Sequence, residues 1–453
     1  MSAQAPARTP PATDPQALSG PAQTGPETWN PQDAGVPPQQ PAGGSTPARE
    51  ACARLLARAL FRLTRTGTLN VSDRGRQTSY GSGEPVATLV VTSQRFWPAL
   101  LRGSTGLAEA YANGWFESPD LVTLIRIGAL NGELLDRPRR FLTPVRAPFQ
   151  RGRELIRPPK RARAKQEIAA HYDLGNELFE VMLDPTLSYS CALFEREDMT
   201  LEQAQLAKFE RICQRLSLSG SDRLLEIGTG WGGLAAYAAR TRGCKVTTTT
   251  ISAEQHSYAT EMIRQAGLHD LVTVLDRDYR ELQGSYDKLV SVEMIEAVGW
   301  RYLNTYMRKC SELLTPRGMM LLQAITIDDR AYDVEKASKS FINTYIFPGG
   351  SLPSLSALTA AMARHTDMQL AGLEDLTASY AVTLRHWRAN FNAAHLRLDE
   401  LGFDTHFRRI WDLYLAYCEA GFMERRIQDV QLLFTKPLAR LTLASGGADP
   451  VSR

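Results

Sequence analysis

The sequence predicts an α/β protein: a parallel, doubly wound sheet with a smaller α/β domain ahead of it. Three observations carry this expectation. Between about Gln166 and Ala439, short β-branched apolar runs alternate with segments of helical spacing, the pattern of parallel strands joined by helices. A glycine-rich turn follows the first of those runs. Upstream, from Arg49 to Asp136, a shorter stretch has helix and strand patterns of its own.

Along the chain, residues 1–48 hold 11 of the 25 prolines and a single aromatic, Trp29. Such a segment buries too little apolar surface to offset its ordering entropy and is expected to be a disordered tail. In 49–136, ACARLLARALFRL has helical periodicity, VATLVVTS is β-branched enough for a strand, and GLAEAYANGWFESPDLVTLIRIGALNGELL reads as helix, turn, helix. Residues 137–165, RPRRFLTPVRAPFQRGRELIRPPKRARAK, are strongly basic. They read either as a solvated linker or as a patch for anionic lipid headgroups, where each cation contributes about 1 kcal/mol. No nucleic-acid motif accompanies the run, so nucleic acid is not an expected partner.

The larger domain, 166–440, has candidate strands at 223–227, 245–251, 271–276, 286–294, 318–327 and 429–437. Helical segments such as AEQHSYATEMIRQAG and YLNTYMRKCSELL lie between them. Residues 441–453, rich in small and polar types, are expected to be a frayed tail.

Composition excludes several classes. A net charge of +3 gives the chain as a whole no electrostatic bias. The six cysteines are scattered without a CxxC pair, which argues against a zinc site or a disulfide framework and suits a reducing compartment. The opening residues MSAQAPARTPPATDPQ lack the apolar core of a secretory signal. No apolar run is long enough to span a bilayer. The expected location is therefore cytoplasmic.

The segment LLEIGTGWGGLAAYAAR is the centre of the functional reading. A short apolar strand carries Glu226 near its end, a turn with Gly228 and Gly230 follows, and a helix begins. Glycines permit the tight turn and the close approach of a ligand to the helix N-terminus. The spacing also fits a dinucleotide site. Two details favour S-adenosylmethionine: the E-x-G-x-G form, and TTTTIS where a dehydrogenase would place an acidic residue on the ribose. After the fourth strand stands IEAVGW, neither an NPPY-like segment nor a Pro-Cys loop, which disfavours a nucleobase or side-chain amide as acceptor.

Five segments then stand in a recognisable order: HYDLGNELFEVMLDPTLSYSCALF (171–194), LLEIGTGWGG (224–233), VEMIEAVG (292–299), YIFPGGSLPS (345–354) and YAVTLRHW (380–387). Together they resemble the cyclopropane-fatty-acyl-phospholipid synthases and mycolic acid cyclopropane synthases. Residues 95–121 resemble, more weakly, the N-terminal domain of the phospholipid-acting members. The resemblance implies a class I S-adenosylmethionine-dependent methyltransferase with a Rossmann-like sheet. It further implies transfer of a methylene to the cis double bond of a phospholipid acyl chain, by an enzyme peripherally associated with the inner face of the membrane. A homodimer is left open.

The chemistry makes sense of such a site. An unactivated alkene attacks the sulfonium methyl with its π electrons, leaving a cation that a base must then relieve of a proton. The site must be dry, tolerant of positive charge and equipped with that base. By resemblance the base is a bound bicarbonate, held near Cys191, Glu296, Gln323, Ile325 and Tyr380. Gln323 departs from the His of the bacterial type members, and glutamine cannot carry a proton. Thr229 and Ser379 are milder departures. Also by resemblance, Tyr189 and Ser190 cover the methionine end of the cofactor, which Glu226, Gly228 and Gly230 flank. Thr250 and Gln255 approach its ribose, and Asp278 and Tyr279 its adenine.

Taken singly, each of these residues has a plainer reading. Cys191 suits a buried small hydrophobe, Glu296 a helix-surface pair, and Tyr380 a core aromatic. Two rival functions share the motifs: an acyl-chain methyltransferase with a methyl- or methylene-branched product, which Gln323 motivates, and a non-catalytic lipid-binding relative.

Overall fold

The computed structural model describes residues 46–132, 174–336 and 340–440. The basic run 137–165, the C-terminal tail, the start of the 171–194 motif and the N-terminal tail up to residue 45 lie outside the described residues. The first helix, Pro47–Phe61, begins inside the predicted tail because Thr46 caps it, its side chain accepting from the Arg49 N–H.

The N-terminal unit contains β1 (Gly67–Asp73), β2 (Arg76–Ser82), β3 (Val86–Val91) and β4 (Phe116–Glu117) in the order β2-β1-β3-β4. The predicted VATLVVTS strand is β3, and the predicted helix-turn-helix is Ser104–Ala112 and Leu121–Leu130. The β1–β2 hairpin was not anticipated, because TLNVSDRGRQTSYGS is mostly polar. Its turn has positive φ at both central residues, Arg74 (53°) and Gly75 (74°), which matches the twist of two paired strands.

The main sheet consists of β5 (Arg223–Ile227), β6 (Lys245–Thr250), β7 (Val272–Asp276), β8 (Tyr286–Val292), β9 (Leu314–Ile327), β10 (Gln369–Asp375) and β11 (Ile427–Thr435). Its order is β10-β11-β9-β8-β5-β6-β7. Strands β5 to β9 are parallel, whereas β11 runs antiparallel to both β9 and β10. The sheet is therefore mixed, a correction to the all-parallel expectation; an apolar run such as DVQLLFT does not carry its own direction. Strand β10 escaped notice because it is a largely exposed edge with Gly372 beside a register shift.

Between β6 on one side and β8 on the other, β5 sits where the winding reverses, and ligands bind beyond the carboxyl ends of strands at such a point. One apolar core runs from Ala53 and Trp97 through Cys191 and Tyr380 to Trp411 and Phe422. The N-terminal unit thus shares its interior with the helices over β11. Polar ties reinforce the junction: Tyr111 Oη donates to Asp412 at 3.0 Å, and Arg126 meets Glu424 at 2.6 Å. Among the described residues no helix is long and apolar enough to cross a membrane.

Candidate active site

Beyond the end of β5 lies a cavity of about 470 Å³, a size typical of small-molecule sites. Gly228 (φ 102°) and Gly230 (φ 52°) shape its floor. A Cβ on Gly228 would come within 3.2 Å of Met294, and one on Gly233 within 2.7 Å of the Thr186 carbonyl. Every residue assigned to the cofactor lines this cavity.

Their contacts explain how they are held. Glu226 is buried at the end of β5, accepts from Thr248 Oγ1 at 2.6 Å, and is pushed by burial up to about 8. Thr229, one of the departures, continues that chain by bonding Thr248 at 2.7 Å. Thr250 donates to Gln255 Oε1 at 2.9 Å, and Ser252 caps the helix Ala253–Gln265 that presents Gln255. Asp278 caps the turn Tyr279–Glu281 and is gripped by Arg280, while the Tyr279 ring stands edge-on to Tyr306. Ser190 Oγ accepts from the fully buried Lys208 at 2.6 Å, and burial pushes that amine down to about 8. Tyr189 shares a 2.7 Å hydroxyl–hydroxyl bond with Tyr414. A glycine turn that admits close approach, with hydroxyl, amide and carboxylate groups on the walls beyond it, fits S-adenosylmethionine.

The second group of predicted residues is gathered just behind this cavity, around a residue that the sequence reading passed over. Glu293 follows β8 and has φ 47°, a left-handed conformation that costs a side-chain-bearing residue roughly 1–2 kcal/mol. Its Oε1 accepts from the Cys191 N–H at 2.8 Å and from Gln323 Nε2 at 2.9 Å. Its Oε2 accepts from Tyr380 Oη at 2.5 Å. Burial pushes the Glu293 carboxyl up, while the Tyr380 hydroxyl, the Cys191 N–H and the Lys208 charge pull it back toward the ionised form.

The remaining members are equally engaged. Ile325 N–H donates to Glu296 Oε1 at 2.6 Å. Burial, and then the charge of Glu293, push Glu296 up to about 8. Gln323 also donates to Asp429 Oδ2 at 3.0 Å and accepts from Gln431 Nε2 at 3.0 Å, which fixes the face it turns to Glu293. The Cys191 thiol donates to the Ala192 carbonyl at 3.1 Å, and burial raises it well above the ordinary thiol range, so it is no nucleophile. Ser379, the other departure, accepts from the Phe194 N–H at 3.2 Å.

Bicarbonate therefore does not fit these residues. The donors assigned to it on Cys191, Gln323 and Tyr380 already bind the Glu293 carboxylate, and Ile325 and Glu296 bind each other. A signal was present in the sequence: VEMIEAVG places two carboxylates, Glu293 and Glu296, at the end of one buried apolar strand.

Aromatic rings enclose the region. Tyr380 stacks on Phe422 with centroids 4.2 Å apart, and Tyr189 packs against Phe179 and Trp387 at 5.2 Å each. Such faces stabilise positive charge through their quadrupoles.

The sheet order, the glycine turn after β5 and the cavity above it define a class I S-adenosylmethionine-dependent methyltransferase. A profile of the family described as mycolic acid cyclopropane synthetase matches residues 159–432, and the chain belongs to that family: it is an S-adenosylmethionine-dependent C-methyltransferase of the cyclopropane synthase type. It is 38% identical over 331 residues to the tuberculostearic acid methyltransferase of Mycobacterium tuberculosis, covering 71% of this chain and 76% of the relative. It is 37% identical over 360 residues to the cyclopropane-fatty-acyl-phospholipid synthase of Escherichia coli, covering 78% and 89%. Among solved structures, a mycolic acid cyclopropane synthase complexed with SAH and CTAB superposes with a TM-score of 0.56 at 28% identity, over 60% of this chain and 98% of that one.

Proposed function

We propose that this enzyme adds a methylene from S-adenosylmethionine across the cis double bond of an unsaturated phospholipid acyl chain, giving a cyclopropane. The observation that carries the reading is the juxtaposition of the cofactor cavity with an aromatic-walled polar cluster of Glu293, Tyr380 and Gln323. Bound cofactor supplies an electrophilic methyl group. Tyr189 and Ser190 close over the methionine end, and Asp278 and Tyr279 bracket the adenine end. The rings of Tyr380, Phe422 and Trp387 keep water from the cation left on the acyl chain and tolerate its charge. Deprotonation by bicarbonate is set aside, since its donors are taken.

The membrane part of the proposal places a lipid-facing role on the N-terminal unit, roughly 49–136, joined through 137–165 to the catalytic domain at 166–440. It is supported by the helix Pro47–Phe61 and the residues after it, where Leu55, Leu56, Leu60 and Leu63 are exposed among arginines. Apolar side chains interleaved with cations suit a surface of anionic lipid, and hence peripheral attachment to the inner face of a cytoplasmic membrane. A second copy of the chain as partner is decided by sedimentation.

A methylene-branched product is a second reading, favoured by Gln323 in place of His and by the tuberculostearic acid methyltransferase among the relatives. Both products add CH2, so mass does not separate them. The test is incubation with methyl-labelled S-adenosylmethionine and vesicles of cis-monounsaturated phospholipid, followed by proton NMR of the extracted lipid. Labelled upfield cyclopropyl protons support the ring; labelled olefinic methylene protons move the activity to the second reading. Absence of label from lipid rejects both.

A further inference from the structure

We propose that the side-chain carboxylate of Glu293 is the base that removes the final proton, standing where a free carbonate would otherwise be bound. This rests on the acyl-alkene reading above and deepens it.

The Cys191 N–H, the Gln323 amide and the Tyr380 hydroxyl converge on the two oxygens of Glu293 at 2.8, 2.9 and 2.5 Å. Three donors aimed at one planar carboxylate make an anion cradle, and the chain fills it with its own side chain. The second observation is position. Of the three neighbouring acids Glu293, Glu296 and Asp429, Glu293 lines the cofactor cavity and the other two do not. The third is backbone strain. Glu293 is held at φ 47°, with its own N–H donating to the Gln323 carbonyl at 2.9 Å; strain of this kind clusters at sites where placement matters more than stability.

The proton step balances. A C–H bond of the transferred methyl breaks, its electron pair closes the third side of the ring on the cationic carbon, and the proton goes to a Glu293 oxygen. The methyl C–H lies one carbon removed from the cationic carbon and turns acidic as its electron pair moves into the closing ring, so a carboxylate held by three donors is basic enough, and position decides which proton leaves. Gln323 suits this arrangement because an amide donates to the base without competing for the proton.

The test compares the wild type with Glu293→Gln and Glu293→Gly in CO2-free buffer, with and without added bicarbonate. Glycine accepts φ 47° without strain, so that variant folds while leaving the cradle empty; S-adenosylmethionine binding by calorimetry confirms it. A second readout is NMR of isotope-labelled bicarbonate. The wild type is expected to label lipid equally well with and without bicarbonate and to show no saturable bicarbonate binding. Glu293→Gln should lose about 100-fold or more of its turnover, and added bicarbonate should not restore it. Glu293→Gly should bind bicarbonate and regain activity with it. Saturable bicarbonate binding by a wild type whose lipid labelling requires it would overturn the base role alone. No label in lipid from the wild type in either buffer overturns the base role together with the reading it rests on.

Discussion

Glu293 and Glu296 stand three residues apart and do different things because different groups meet them. Glu293 receives three donors and faces the cavity; Glu296 receives the Ile325 N–H and keeps its Oε2 buried without a hydrogen bond. Since the base must be ionised, turnover should fall as pH is lowered through the raised pKa of Glu293, at a pH above the ordinary carboxylate range. Tyr380→Phe removes a donor that stabilises the ionised form, so the acidic limb of its pH–rate profile should move to higher pH. An unmoved limb would detach Tyr380 from the base. For Glu296 the folded pKa, about 8, lies above its ordinary value. Its stability contribution is therefore fully present below about pH 4.5 and is lost as pH rises toward 8. Glu296→Gln, uncharged throughout, should gain stability relative to the wild type between pH 5 and pH 9, as read from urea unfolding at both. It should keep most of its turnover at pH 7, where the native carboxyl is largely neutral.

At the scale of elements, the helices Thr377–Ala393 and Thr405–Met423 hold the aromatic wall against the end of β8. Phe422 on the second stacks on Tyr380 of the first. Phe422→Ala should destabilise the fold by about 3–5 kcal/mol, the usual cost of emptying a buried aromatic position, and should lower turnover with little change in cofactor affinity. Equal losses in both would mean that the stack supports the whole domain rather than the tyrosine. The helix Pro47–Phe61 makes a separate prediction. Leu55→Glu with Leu60→Glu replaces exposed apolar side chains, so folding should be preserved while binding to anionic vesicles in a flotation assay weakens by about tenfold, a change of roughly 1.4 kcal/mol. Unchanged flotation would move the lipid contact to another surface.

At the scale of the whole molecule, the strand-and-helix alternation, the glycine turn after β5 and the family motifs were legible because each is written in residues close together. Strand boundaries such as Arg223–Ile227 follow from a short apolar run, and the cavity floor follows from Gly228 and Gly230. The reversed direction of β11, the edge strand β10 and the polar hairpin β1–β2 were not, since pairing partners and exposure depend on distant segments. The same holds for the base. The bonds to Glu293 come from residues 102, 30 and 87 positions away, and no local pattern records which carboxylate they will meet. By itself the sequence determined the fold class, the cofactor and the family, because short-range spacing and a glycine turn suffice for those. Only the tertiary structure decided that the anion cradle is filled by Glu293, because three donors and a strained backbone converge there only once the sheet has closed.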